Sequence, residues 1–283
     1  MEFREHIRIT EKSKTNFLIS VKLLSKEKKD ALKAVYAFCR ILDDIVDESN
    51  ISDDDKKIQT MEWRNTLENY NPEHKSNNVL INYLFESAIN KYKIQLRLFT
   101  DIIKGMEMDL TKKRYNNIEE LLEYCYYVAS TIGLIFIKII GYKNIETEEY
   151  AHKLGIALQI TNIIRDIKKD AEKGRIYLPL DELKQFNYSE ADLFNNVNNE
   201  SFRNLIKYQI NRVKIYFNDA EEYLFKPDRQ KLTSARIISK IYYDLLLKIE
   251  KNDFNIYKRD FRISGLRKLT ILLGAYIDSI FRG

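Results

Sequence analysis

Across residues 26 to 46 apolar side chains recur at steps of three and four, with Leu32, Val35, Tyr36, Phe38, Cys39 and Leu42 on one side and charge on the other. That spacing predicts an amphipathic helix with one face in a core. Residues 49 to 55 are polar and turn-like. Ser52 and the aspartates after it read as the cap and acidic first turn of a second helix through Trp63 and Leu67. The run Asp53-Asp54-Asp55 is then dipole chemistry rather than a site. Helical periodicity resumes over 79 to 92 and 96 to 110, and a basic loop follows at Lys112-Lys113-Arg114. The stretch 118 to 140 is apolar nearly all round, as suits the central helix of a bundle, and Gly141 ends it. Another helix starts at Thr147, runs to about Ala171 and stops at Gly174, with Pro179 as a breaker beyond irregular structure. Helices over 202 to 225, 234 to 250 and 267 to 281 complete the pattern, separated by Lys226-Pro227-Asp228 and a basic stretch from 258 to 268. No repeat, linker or composition break divides the chain, so 1–283 reads as one all-α domain.

Composition narrows this further. With 283 residues, 45% hydrophobic and 31% charged, the chain can bury a sizeable core and is not disordered. Three prolines and eight glycines are too few for the tight turns of a many-stranded fold. The net charge of +5 suits anionic small molecules, a lipid surface or nucleic acid, and decides nothing alone. Cys39 and Cys125 lie in apolar helical sequence and read as free thiols in a reducing compartment. The opening Met1-Glu-Phe-Arg-Glu-His6 is charged where a signal peptide has its apolar core, so a cytoplasmic protein is expected. The stretch 128 to 142 is broken by Lys138 and shorter than the ~20 residues of a spanning helix, so no transmembrane segment is expected.

Two acidic stripes carry the candidate chemistry. Asp43 and Asp47 are four apart, with Asp44 beside them, so the outer pair shares a helix face. Such like charges destabilise a partly buried helix end unless a cation neutralises them, and hard oxygen donors suit magnesium. Taken alone, acidic helix ends are common, and structure and metal are equal readings. The second stripe, Asn162, Asp166 and Asp170, stacks three oxygen-bearing side chains at i, i+4 and i+8 along a helix whose preceding part is largely apolar (Leu154, Ile156, Leu158, Ile160), where surface solvation is a poor explanation. Facing one another across a bundle, the stripes could hold divalent ions around a diphosphate.

At this point the chain resembles the squalene and phytoene synthase family of head-to-head prenyl transferases. The resemblance covers nearly the whole chain. It is carried by Ala34-Val-Tyr-Ala-Phe-Cys-Arg40, Asp43-Asp-Ile-Val-Asp47, Gly105-Met-Glu-Met-Asp-Leu110, Tyr124-Cys-Tyr-Tyr-Val-Ala-Ser-Thr-Ile-Gly133, Leu158-Gln-Ile-Thr-Asn-Ile-Ile-Arg-Asp166 and Gly174-Arg-Ile-Tyr-Leu-Pro179. It implies an isoprenoid synthase helical bundle with a central cavity, in which two prenyl diphosphates join through a cyclopropyl intermediate with magnesium assisting. On that resemblance Asp43, Asp47, Asp166 and Asp170 match the metal motifs, and Asn162 and Asp109 neighbouring polar positions at the metal and diphosphate site. Arg40 and Arg165 match diphosphate-binding arginines, and Tyr126 and Tyr242 tyrosines of the reaction cavity. Without the resemblance, core packing is the better reading of both tyrosines, and Arg40 could merely pair with Asp43 or Asp44. The partner implied is a prenyl diphosphate, not nucleic acid.

The chain also departs from the family. Lys168-Lys169 stands where Gly-Glu is common, placing Lys169 where it could contact phosphate or weaken metal binding. Asn16-Phe17-Leu18 stands where Ser-Phe-Tyr is frequent, which bears on diphosphate contacts from Asn16. Gly105-Met-Glu-Met and Val128-Ala-Ser-Thr, and the segment 259 to 269, look most like bacterial presqualene diphosphate synthases of hopanoid-type pathways, whereas plant-type phytoene synthases usually have Arg at the position of Glu107 and Gly at that of Ser130, so farnesyl diphosphate going to presqualene diphosphate is the expected reaction. The alternatives are phytoene from geranylgeranyl diphosphate, NADPH-dependent squalene synthesis, or a non-catalytic assembly protein of the same fold. No Gly-x-Gly-x-x-Gly turn is present, and NADPH is not expected. Arg259, Arg262, Arg267 and Lys268 lead into an apolar run, giving two readings: a solvated surface beside a core helix, or peripheral contact with anionic lipid.

Overall fold

In a computed structural model that describes residues 20–258 and 260–281, the first periodic run forms helix α1 (Lys26–Asp47). Helix α2 (Asp53–Glu68) opens where Ser52 accepts the Asp55 backbone N–H. A broken helix α3 (Val79–Leu84, a π turn Phe85–Ile89, then Asn90–Tyr92) leads to α4 (Leu96–Thr111). The apolar run forms α5 (Ile118–Ile140), interrupted by a π turn over Tyr126–Ser130. Helix α6 (Thr147–Glu172) carries the second acidic stripe. After it come α7 (Leu180–Gln185), α8 (Glu190–Phe194), α9 (Glu200–Glu222), α10 (Lys226–Lys231), α11 (Thr233–Glu250) and α12 (Gly265–Phe281). Among the described residues there is no strand, only the isolated bridges Asn71↔His74 and Arg114↔Ile176. Asn16 and Arg259 lie outside the described residues.

The all-α expectation holds, and the long helices fall within a few residues of the periodic segments. Helices α7, α8 and α10, of five or six residues, have no counterpart in the periodic pattern, because so short a span shows no period. Around Lys226-Pro227-Asp228, expected as a plain separator, proline opens α10 and the buried Asp228 turns inward. Its carboxylate accepts the N–H groups of Lys143 (2.7 Å) and Asn144 (2.8 Å) and the Thr147 hydroxyl (2.9 Å), tying down the start of α6.

At the centre, α6 packs on α5 and α9, while α1 packs on α4 and α5. The apolar stretch from 128 extends back into a helix of 23 residues, long and apolar enough to cross a membrane by length and composition. Just over half of its most apolar window is buried against neighbouring helices. Glycine sets the closest approach: a Cβ on Gly155 of α6 would stand 2.7 Å from the Ser130 Cα and 2.8 Å from its nitrogen on α5. Backbone cannot yield as a side chain can, and overpacking costs about 1–3 kcal/mol. Gly155→Ala is therefore expected to lower Tm by at least about 2 °C. A circular-dichroism melt checks this, and an unchanged midpoint would contradict it.

Cys39 and Cys125 are free thiols, and burial pushes both up, Cys39 to about 12. On α12, Ile271 packs with Ile237 and Ile241 of α11, whereas Leu266, Leu269 and Leu273 are exposed. Of the basic residues before and within it, Arg267 pairs with Asp244 (2.7 Å) and Arg262 with Asp260 (3.2 Å).

Candidate active site

The C-terminal ends of α1 and α6 bring the two acidic stripes to one region, linked by the loop after α6. Asp47 accepts from Lys173 Nζ (2.7 Å) and Arg175 (3.0 Å), so a residue of the first stripe is held by the segment that follows the second. Arg175 is nine-tenths buried and also acts electrostatically on Asp109 and Asp170, drawing all three acids around one guanidinium. Partial withdrawal from water, and next Asp47, push the Asp43 carboxyl up to about 6 despite Arg40. Burial and the neighbouring Asp166 push Asp170 up to about 7. Burial works upward on Asp47 too, but the bonds from Lys173 and Arg175 outweigh it and hold that carboxyl below its ordinary value.

Cations of the chain itself occupy this cluster. Arg40 pairs with Asp43 (3.0 Å) and Asp44 (2.6 Å). Arg165 donates from Nε to the Asp166 carboxylate (3.0 Å) and also interacts with Tyr242. Lys169 reaches Asp260 (3.2 Å) and, at 3.9 Å, Asp166. Among the described residues, no three His, Cys, Asp or Glu side chains are gathered closely enough to hold an ion as they stand. The donor chemistry nonetheless suits a hard divalent cation: raised carboxylates repel one another, and the buried Asn162 Oδ1 has no hydrogen-bond partner.

From this cluster a cavity of about 410 Å³ runs into the bundle. Its mouth carries Arg40, Asp43, Asn162 and Tyr242; its walls are Val35 and Cys39 from α1, Ile132 and Phe136 from α5, and Leu154 and Leu158 from α6. Acidic and basic groups beside a largely apolar cavity suit a ligand with a diphosphate head and a hydrocarbon tail.

Two expected residues are placed differently. Tyr126 does not line the cavity; its ring faces Tyr127 (5.3 Å) and His152 (5.9 Å). In a regular α-helix it would stack one turn before Ala129, which does line the cavity. The wider π turn at Tyr126–Ser130 adds a residue and rotates Tyr126 off that stripe. Asp109, expected at the metal site, has both carboxylate oxygens engaged: Oδ1 accepts from Tyr177 (2.6 Å) and Oδ2 from Tyr124 (3.0 Å). Burial pushes its pKa up, and it anchors a stacked cluster of Tyr115, Tyr124 and Tyr177. Asn16 lies outside the described residues.

Conversely, sequence gives no site role to Lys173, Arg175, Tyr124 and Tyr177, nor to the cavity residues Tyr36 and Gln159, although all but Lys173 stand within the matching motifs. The signal for Arg175 and Tyr177 is the loop Gly174-Arg-Ile-Tyr-Leu-Pro179, which a parallel bridge between Arg114 and Ile176 fixes to the basic loop. Glu107 and Ser130, the residues behind the subfamily expectation, both miss the cavity. Glu107 pairs with Arg64 of α2 (2.9 Å), and Ser130 packs at Gly155 and donates to the His152 carbonyl (3.0 Å). Both make contacts between helices.

Comparison with known proteins accords with this geometry. The family profile described as Squalene/phytoene synthase matches residues 10–268. "Phytoene synthase 1, chloroplastic" of Zea mays is 34% identical over 281 residues, covering 96% of this chain and 67% of that protein. "15-cis-phytoene synthase" of Synechococcus elongatus is 32% identical over 286 residues, covering 95% and 91%. Among solved structures, a dehydrosqualene synthase in complex with ligand superposes with a TM-score of 0.84 at 25% identity, covering 98% of this chain and 96% of that one. The squalene synthase HpnC from Alicyclobacillus acidocaldarius, at 22% identity and a TM-score of 0.77 over 89% of this chain and 95% of that one, shares the fold.

Proposed function

Because the chain belongs to the squalene/phytoene synthase family, we propose that it joins two geranylgeranyl diphosphates head to head to give phytoene. The observation that carries this reading is the pairing of an acid, arginine and asparagine mouth with a deep apolar cavity. The names of the relatives at 32–34% identity favour phytoene over the presqualene diphosphate expected from Glu107 and Ser130. A second reading, a shorter product from farnesyl diphosphate, is favoured by the likeness to the dehydrosqualene synthase structure.

Asp43, Asp47, Asn162, Asp166 and Asp170 would hold magnesium. When bound, the metal neutralises the charge that develops on the departing diphosphate. Arg40 and Arg165, paired with carboxylates in the free protein, exchange those partners for phosphate oxygens, for which a planar fork of donors is suited. Lys169 at the rim adds a point charge beside Asp166. Val35, Phe136 and Leu154 keep water from the allylic cation, while Tyr36 and Tyr242 offer it aromatic faces. Arg175 and Lys173 hold Asp47, and through it the end of α1, against the loop after α6.

Joining two allylic groups with loss of two protons needs no hydride, so NADPH is not required. Incubation with magnesium and each prenyl diphosphate, with products identified by mass spectrometry, tests the proposal. Phytoene formed at the same rate with and without NADPH is the expected result. Squalene appearing only with NADPH, or a higher kcat/KM on farnesyl diphosphate, would overturn it.

A further inference from the structure

The cavity's depth follows from the helices that line it. On α6 the lining positions run from Asn162 at the mouth to Tyr150, twelve residues earlier, or about 18 Å at the α-helical rise. On α1 they run from Asp43 to Leu32, eleven residues and about 16 Å. An extended hydrocarbon advances roughly 1.25 Å per bond, making a farnesyl tail about 15 Å long and a geranylgeranyl tail about 20 Å. Measured from the level of Asn162, the shorter length falls short of the span to Tyr150 and the longer one matches or exceeds it.

Beyond Tyr150 lies other space. Its ring is 1% exposed, and its hydroxyl is buried without a hydrogen-bond partner. Glu221, Arg229 and Arg236 are close enough to act on that hydroxyl electrostatically, and the same three residues line a second cavity of about 460 Å³ between α9, α11 and α12. Tyr150 therefore stands between the apolar cavity and this charged groove. A phenol whose hydroxyl bonds to nothing contributes bulk rather than a polar contact.

Resting on the proposed prenyl transferase reading, we infer that Tyr150 is the floor of the cavity and sets the longest prenyl tail the protein accepts. Trimming the ring joins the two cavities and gives a fifth isoprene unit a place to go. Admitting one isoprene unit to an apolar pocket, or shutting it out, changes kcat/KM by on the order of tenfold or more.

The test measures kcat/KM for the C15, C20 and C25 prenyl diphosphates on wild type, Tyr150→Ala, Tyr150→Leu and Tyr150→Phe, with a melt for each. Tyr150→Ala is expected to raise the C25-to-C20 ratio about tenfold or more, while Tyr150→Phe keeps it within about twofold of wild type. If the alanine variant does not fold, the leucine variant carries the test and is expected to shift the ratio in the same direction. An unchanged ratio in a folded variant, or as large a shift in Tyr150→Phe, overturns the inference and leaves the reaction intact. No turnover of any prenyl diphosphate by wild type overturns the reaction itself, and the inference with it.

Discussion

Asp43→Asn is expected to lower kcat by roughly 10²–10³-fold while leaving helical content unchanged, the scale of loss when one group stabilising transition-state charge is removed from an enclosed site. The substitution keeps the volume, removes one charge and ends the repulsion with Asp47 that contributes to raising Asp43 to about 6. Stability should therefore be kept or improved, since a mutually repelling pair is lost. Asp166→Asn frees Arg165 from its carboxylate partner and should lose activity on the same scale. Full activity in either variant, measured by product formation at saturating magnesium, would contradict the assignment of both stripes.

The second large effect is on pH. With Asp43 at about 6 and Asp170 at about 7, two carboxylates that must be ionised to hold a cation take up protons in mildly acidic solution. Activity at limiting magnesium is expected to fall as pH drops below 7, approaching a hundredfold per unit below about pH 6, where both must lose a proton. Stability moves the opposite way. Between about pH 4 and 7 Asp43 and Asp170 hold protons in the folded, metal-free protein that the unfolded chain has released, so their contribution to stability falls as pH rises through that window, and the two outweigh the opposing His152, which burial holds below its ordinary value. Asp47, held below its ordinary value, contributes stability that is lost only in stronger acid. Melts in chelator at pH 5 and 7.5 should give the higher midpoint at pH 5, and magnesium should raise the midpoint at pH 7.5. Equal midpoints in chelator together with a flat pH–rate profile would contradict the assignment.

Sequence reaches far into this molecule, and its limits have physical causes. The stripes 43/47 and 162/166/170 are legible because helical period alone puts each on one face, and the caps and breakers at Ser52, Gly141 and Gly174 bound their helices. What joins the stripes is not legible. Arg175 and Lys173 meet Asp47 across 128 and 126 residues, a contact that only the tertiary path of the loop creates. The resemblance puts Tyr126 in the cavity, whereas the π turn at Tyr126–Ser130 turns it away from the lining, and a motif match carries no information on such a local change of helical pitch. The pairing of Asp109 with two tyrosine hydroxyls likewise depends on α4, α5 and the loop before α7 meeting in space. The expectation on tail length draws on Glu107 and Ser130, neither of which touches the cavity, whereas the cavity's end is set by Tyr150, near the start of α6, which no motif marks.

Release of inorganic diphosphate from geranylgeranyl diphosphate, followed with magnesium and again in excess chelator, tests most directly whether the two acidic stripes form one site for a prenyl diphosphate. The expected result is magnesium-dependent release of two diphosphates for each phytoene formed, abolished by chelator. Release that continues in chelator, or no release from any prenyl diphosphate, would contradict it.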